Sequence, residues 1–458
     1  MMGQQTACSA DGLESSLNLM NSFIIFGAGK KGKALLSHLG ESNVSCFCDN
    51  HLAGETVDGK EVIAFDAMIS LSEHQTVLLS TDSNEMRKQL RDAGISYCDC
   101  SETYDPLREL LRKDYEFCPD SEVEFYLVDS FEISHSLPIY VALREAGIRA
   151  VMVAEPALFN TAGKWFDDNK AWEILDSEGI EWYKCSNPQA AIAFTTQFEY
   201  NIGHYRGKKI KLCYGVSILK NKAFELKAEV TDPFDHVFVV GEFYRKMIAR
   251  NKPPEAVTDI SYLRYKEYFA HLVEKRSILE KLGIRTDKPI LVYYPTWDEH
   301  SSIHDYAVEI GKLRDEFFVV AKPHHCTLRL EEKAEDRKLL KDNSDLVVEM
   351  VGDLSELAAI TDLAICDAMS GAMCEVAFLN RKAHMLAIME SGTREEFYVD
   401  PGQIAVTVDS PSDLGECAIR LKSYDPKLAS RDQQVSEFLS DDFDAGKERC
   451  IDVIRNLL

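Results

Sequence analysis

Apolar residues along this chain come in short continuous runs, each followed by a stretch whose apolar positions recur every three or four residues. The runs read as buried strands and the stretches between them as helices. After about twenty residues read as an unstructured lead-in, SFIIF, VSCFC, EVIAF and TVLLST are strands, and KALLSHL and NEMRKQLRDAG helices. A charged connector, ETYDPLRELLRKDYEFCPD, leads to a second series: VEFYLVDS, the helix LPIYVALREAG, AVMVAEP, KIKLCYG and DHVFVVG. Helical spacing over Thr258–Ile284 predicts one long connecting helix. A third series follows with KPILVYYPTW, FFVVAKPHH, LVVEM, LAICDAMSG, KAHMLAI and IAVTV, and the tail from Ser436 reads as a terminal helix or helix pair. Strands alternating with helices, and no hairpin signal, predict an α/β protein of parallel sheets with ligands at the carboxyl ends of strands. The expected domains are 1–103, 104–260 and 261–458.

The most informative stretch is TDLAICDAMSGAMCEVAFLNRKAHM, a buried strand, a tight turn at Ser370-Gly371 and a helix. Such a turn leaves backbone N–H groups unpaired at the positive end of a helix dipole, which is a phosphate seat. Glu375, one helical turn on, could accept hydrogen bonds from ribose hydroxyls; the plainer alternative is that Ser370 caps the helix and Glu375 is a favourable N-terminal acid. Neighbouring strand ends add Thr296, then Lys322 and His324 from VVAKPHH, and from the second series Tyr214, Gly215 and Lys220. Amides, a lysine and a histidine converging at strand ends make an anion-binding mouth.

Near the N-terminus, Gly27, Gly29 and Gly32 follow a strand and open a helix, and Asp49 ends the next strand. This matches the dinucleotide fingerprint in its mechanical context. Only about half of a dinucleotide fold follows it. A single nucleotide phosphate could be seated there, or the glycines could serve only close packing; no NAD(P) redox chemistry is expected. The unit resembles the N-terminal Rossmann-like domain of sugar acyltransferases and polysaccharide-biosynthesis proteins.

The net charge of −25 argues against a nucleic-acid partner and against simple docking on anionic lipid. Thirteen cysteines lack a framework spacing and are expected to stay reduced in a cytoplasmic protein. The pairs Cys46/Cys48 and Cys98/Cys100 admit zinc, but they lack CxxC reach and a nearby histidine cluster, which favours buried small side chains.

Residues 120 to about 425 resemble the CDP-glycerol glycerophosphotransferase family of teichoic-acid and capsule polysaccharide synthesis. The resemblance is carried by DHVFVVGEFYRKMI, KPILVYYPTWDE, VVAKPHH and DLSELAAITDLAICDAMSGAMCEVAFLNRKAHML, with Ser370-Gly371 on the family's paired serines and Glu375 on its aspartate. It implies two facing Rossmann-like domains of GT-B type behind the N-terminal one. It also implies a transferase that takes a nucleotide-diphosphate donor and passes a polyol-phosphate to a glycan or lipid-linked acceptor; no cofactor is expected, and no metal is required where the Ser370 and Gly371 amides with Lys322 and His324 offset the charge on the leaving nucleotide. The resemblance places donor binding on Thr296, Lys322, Ser370, Gly371 and Glu375, and catalysis on His324, Tyr214 and Lys220. The family's H-G-T-P-x-K motif reads YGVSILK here, so a tyrosine stands where the family has a candidate general base, and Asp367 lies one place nearer the chain start than the family's aspartate. A UDP-sugar glycosyltransferase or epimerase, or a non-catalytic nucleotide-binding protein, are the alternatives. Membrane contact through partners, oligomeric state, donor base and acceptor stay open.

Overall fold

A computed structural model of the chain describes residues 23–39, 41–101, 117–155, 168–197, 202–214, 228–271, 274–349, 354–389 and 399–458. Contacts divide the chain into two units. One comprises residues 1–118, 153–169 and 182–186, and the other residues 119–152, 170–181 and 187–458. The lead-in and most of the charged connector lie outside the described residues.

The first unit is built on a sheet whose strands lie in the order Thr56–Val57, Lys60–Ile63, Val44–Cys48, Phe23–Phe26, Thr76–Leu79, Tyr97–Asp99. Phe23–Phe26 is central because it is apolar on both faces. Phe23 and Ile25 join one core cluster with Leu35, Leu36 and Leu39 of the helix Lys30–Leu39, while Ile24 and Phe26 join another with Leu90 of the helix Asn84–Asp92. The four strands expected from the sequence are its inner four, and Thr56–Val57 and Tyr97–Asp99 extend it at the two edges. A hairpin was not expected either, yet Thr56–Val57 pairs antiparallel with Lys60–Ile63. Asp58 and Gly59 turn the chain at φ 46° and 78°, the left-handed pair that a two-residue hairpin needs. All four CxC cysteines are buried with free thiols, Cys46 and Cys48 in one cluster and Cys98 and Cys100 in the other.

The second unit holds two sheets. Six strands of the first lie in the order Val257–Asp259, His236–Val239, Lys208–Cys213, Ile192–Thr195, Val123–Tyr126, Ala150–Val153. The other is parallel throughout, in the order Leu346–Val347, Phe318–Ala321, Ile290–Tyr294, Leu363–Asp367, His384–Ile388, Val406–Val408. Numbered along the chain that order is 3-2-1-4-5-6, the doubly wound arrangement, and its direction reverses between Ile290–Tyr294 and Leu363–Asp367. Leu363–Asp367 and Ile290–Tyr294 are buried at every position, as strands covered by helices on both faces require. Below, the two sheets with their helices are called the first and second lobes.

The long helix expected over Thr258–Ile284 is broken. Val257–Asp259 is a strand, Lys266–Ala270 and Lys275–Lys281 are separate short helices, and Ser261 stands at φ 62°. The aromatic positions that suggested one helical face serve a sharp crossing between lobes: Tyr262 and Tyr265 are buried and their rings meet edge to face at 4.9 Å. The tail forms Leu428–Phe438 and Phe443–Leu457, and the last helix packs back on the first lobe, where Lys447 pairs with Glu145 at 2.5 Å. Among the described residues, no helix is long and apolar enough to cross a membrane.

Candidate active site

At the switch point of the second-lobe sheet, Leu363–Asp367 ends in the turn Ala368–Gly371 and the helix Ala372–Leu379 begins. The Ser370 N–H donates to the Asp367 carbonyl at 2.9 Å, and its hydroxyl accepts from the Ala372 N–H at 3.3 Å. Among the described residues the Gly371 N–H has no hydrogen-bond partner. Asp367 turns away from the mouth. Its carboxylate accepts from the Thr296 N–H at 2.7 Å, the Ser302 N–H at 3.2 Å and the Ser302 hydroxyl, and burial pushes its pKa up to about 6. Asp367 therefore fixes the loop after Ile290–Tyr294 rather than facing a ligand.

A cavity of about 260 Å³ opens above the turn. The second lobe lines it with Tyr294, Pro295, Lys322, His324, His325, Leu354 and Ser370 to Ala372 with Glu375; the first lobe contributes Phe131, His135 and Tyr214, and the crossing contributes Arg264. Six of the residues singled out in the sequence thus meet here: Tyr214, Lys322, His324, Ser370, Gly371 and Glu375. Thr296 is buried beside the cavity without lining it. Lys220, with Gly215, lies outside the described residues. The fingerprint residues belong to the first unit. There Gly27 adopts φ 108°, and a Cβ on Gly32 would stand 1.9 Å from the Gly27 carbonyl oxygen, so these two glycines are required by packing. A Cβ on Gly29 would meet nothing within 4 Å, and Asp49 accepts from the Ala28 N–H at 3.2 Å and the His51 N–H at 3.0 Å.

The electrostatics of the cavity rest on Arg264, Lys322 and Glu375. The Glu375 carboxylate accepts from the Tyr262 hydroxyl through Oε1, and the same oxygen lies 3.9 Å from Arg264 Nη1. Burial lowers the Lys322 pKa to about 8, with Glu375 opposing the shift and Arg264 adding to it. The lysine still carries its proton at neutral pH, which leaves the lining with two cations and one carboxylate.

Three histidines line the cavity. His324 caps the helix His325–Arg329, its Nδ1 accepting from the Cys326 N–H at 3.2 Å, so the ring proton sits on Nε2. Its ring stacks on Trp297 at 5.8 Å and lies 4.0 Å from the His325 ring. Burial and Arg329 lower the His325 pKa to about 4, and that ring stacks on Phe131 of the first lobe at 5.4 Å. Burial, with Arg264, holds His135 well below the ordinary imidazole range. His324, His325 and Cys326 bring donor atoms within 4.8 Å of one another. As a metal site the trio is poor: the Nδ1 lone pair is in use, and burial pushes the thiol up to about 11. Below the cavity, Arg329 Nη1 reaches the fully buried Asp129 of the first lobe at 2.7 Å, tying the lobes together.

Sequence reasoning missed Arg264, His135 and Phe131. Arg264 was hidden in a segment read as a plain connector. Phe131 and His135 follow a recognised strand, VEFYLVDS, at the carboxyl end where ligand groups gather, and that position was the available signal.

Residues 211–435 match the family model for CDP-glycerol:poly(glycerophosphate) glycerophosphotransferase. No curated protein sequence gives a match. Two structures of the wall teichoic acid polymerase TagF, a variant soaked with CDPG for 15 and 30 minutes, are similar in fold. They give TM-scores of 0.54 and 0.52 at 15% and 16% identity, covering 82% and 81% of this chain and 97% of each polymerase chain. A co-structure of S. aureus MnaA with UDP gives 0.48 at 14% identity, covering 74% of this chain and 98% of that one. The two lobes have the GT-B architecture, and residues 211–435 resemble the CDP-glycerol:poly(glycerophosphate) glycerophosphotransferase family.

Proposed function

We propose that the cavity takes a nucleotide-diphosphate donor, CDP-glycerol or a similar polyol conjugate, and passes its polyol-phosphate to a hydroxyl of a glycan or lipid-linked acceptor in cell-surface polymer synthesis. The observation that carries this reading is that the family segment, residues 211–435, contains most of the residues lining one cation-rich cavity at a topological switch point. In the reaction the acceptor oxygen bonds to the phosphorus that bears the polyol while the bond from that phosphorus to the nucleoside monophosphate breaks. Charge growing on the leaving phosphate is offset by Lys322, the Gly371 N–H and the His324 Nε2–H. These groups are preorganised donors rather than bases. Glu375, braced by Tyr262, offers an acceptor for ribose hydroxyls. The acceptor's proton passes to Tyr214, at the family's histidine position. A phenol is a poorer base than the imidazole it replaces, so turnover is slow.

A second reading, a nucleotide-binding protein without turnover, is favoured by one observation: the lone pairs of His324 Nδ1 and His135 Nε2 are both occupied, leaving no free imidazole base at either residue. Incubation with CDP-glycerol and UDP-sugars in the presence of a glycerol-phosphate primer separates the cases. CMP release with a primer mass gain of one glycerol-phosphate supports the transferase. UDP release with a hexose gain replaces it with a glycosyltransferase, and tight binding without release replaces it with the binding protein.

A further inference from the structure

We infer that Arg264 and His135 form a second oxyanion site, on the first-lobe wall of the cavity, that holds the non-bridging oxygens of a phosphate ester. Arg264 Nη1 lies 3.0 Å from His135 Nε2. A guanidinium has donors only, so the imidazole must accept through Nε2. The neutral ring then carries its proton on Nδ1, and protonating the other nitrogen would set a cation against Arg264. His135 is 5% exposed, and its Nδ1 has no hydrogen-bond partner among the described residues.

Packing alone does not account for that nitrogen. The His135 ring lies 4.0 Å from the Tyr214 ring and stacks at 6.3 Å on Tyr262, contacts that a carbon ring would make without stranding a buried donor. A buried N–H left unpaired costs free energy that a ligand atom would recover. The arginine beside it points the same way. The Arg264 side chain is 6% exposed, faces Glu375 at 3.9 Å and shares the cavity with Lys322, so a ligand bringing negative charge is favoured over a neutral one. Two adjacent groups that only donate, one of them cationic, suit an oxyanion; that the oxyanion is a phosphate rests on the phosphoryl-transfer reading above. It is supplied either by the donor's transferred phosphoryl group or by a phosphate on the acceptor.

Calorimetry on the full chain tests this with CDP-glycerol as the donor source and glycerol 3-phosphate as the acceptor source. Arg264→Met and His135→Leu are expected to weaken at least one ligand by about 10- to 100-fold, the loss typical of a charged hydrogen bond. His135→Asn is expected to recover most of that loss, because its amide N–H stands where Nδ1–H stood. Loss confined to CDP-glycerol assigns the oxyanion to the donor, and loss for glycerol 3-phosphate assigns it to the acceptor. Unchanged affinity for both ligands in folded Arg264→Met and His135→Leu overturns the proposal. So does nitrogen-15 NMR placing the His135 proton on Nε2, or failure of both ligands to bind the unaltered chain. Glycerol 3-phosphate binding requires neither nucleotide nor turnover, so a chain that fails as a transferase leaves this test intact.

Discussion

Asp367→Asn is expected to make the protein more stable at neutral pH without loosening the loop after Ile290–Tyr294. The carboxylate is 2% exposed, and burial lifts its pKa from 3.8 to about 6. A raised acid pKa means that the folded state prefers the protonated form. Its stability contribution is therefore complete below pH ~3.8 and is lost as pH rises through ~6, a total near 3 kcal/mol at about 1.4 kcal/mol per unit. Between pH 5 and pH 8 the same linkage predicts a loss of about 1.4 kcal/mol. Asparagine removes the ionisation yet keeps the contacts. Its oxygen can accept from the Thr296 and Ser302 N–H groups, and its amide can donate to the Ser302 hydroxyl, which already meets the Tyr293 hydroxyl at 2.5 Å. Urea unfolding of both proteins at pH 5 and pH 8 checks this, since other titrating groups cancel in the difference. Equal pH dependence in the two proteins would refute the argument, as would an asparagine variant less stable at pH 8.

Further outcomes can be checked independently. Glu375→Ala should weaken nucleotide binding by about 1–3 kcal/mol through lost charged hydrogen bonds, and calorimetry showing unchanged affinity would remove Glu375 from the site. His324→Ala should cost about 1 kcal/mol of stability as a lost helix cap but far more in turnover of CDP-glycerol; a large fall in melting temperature with activity per folded molecule preserved would make the residue structural. Glu132, buried and with its pKa raised to about 7, should add a second loss of stability as pH rises through ~7, visible as a smaller pH dependence in Glu132→Gln. The full chain should bind NAD weakly and transfer no hydride, because only about half of a dinucleotide fold follows the glycine fingerprint; tight NAD binding measured by calorimetry would contradict this.

The strands were readable because burial on both faces leaves continuous apolar runs such as LAICD and ILVYY, and the Ser370-Gly371 turn was readable because small residues follow such a run. The Thr258–Ile284 segment was misread for an equally physical reason. Periodicity reports which residues pack together, not that one helix carries them, and Tyr262, Tyr265 and Phe269 all meet the Phe378 ring from a bent crossing. The hairpin carried its signal in Asp58-Gly59, which short polar flanks obscured. The convergence of His135 with Arg264, 129 residues apart, arises only from lobe geometry, and the His324 tautomer depends on a backbone N–H that no local pattern marks.

The chain passes between the lobes at Ile260–Leu263 and again at Leu439–Asp442, and the two passages are joined. The Tyr262 N–H donates to the Ser440 carbonyl at 2.9 Å, and the Ser261 and Ser440 hydroxyls meet at 3.0 Å. Residues 262–440 therefore leave the first lobe and rejoin it at one point, as an inserted module whose ends touch. Gly446 seals the return: a Cβ there would lie 2.2 Å from the Ile260 carbonyl oxygen. The terminal helix thus belongs in space to the lobe that the chain built first, and shortening the C-terminus would uncover Glu145 and Ala146 on that lobe while leaving the sheet of the inserted module intact.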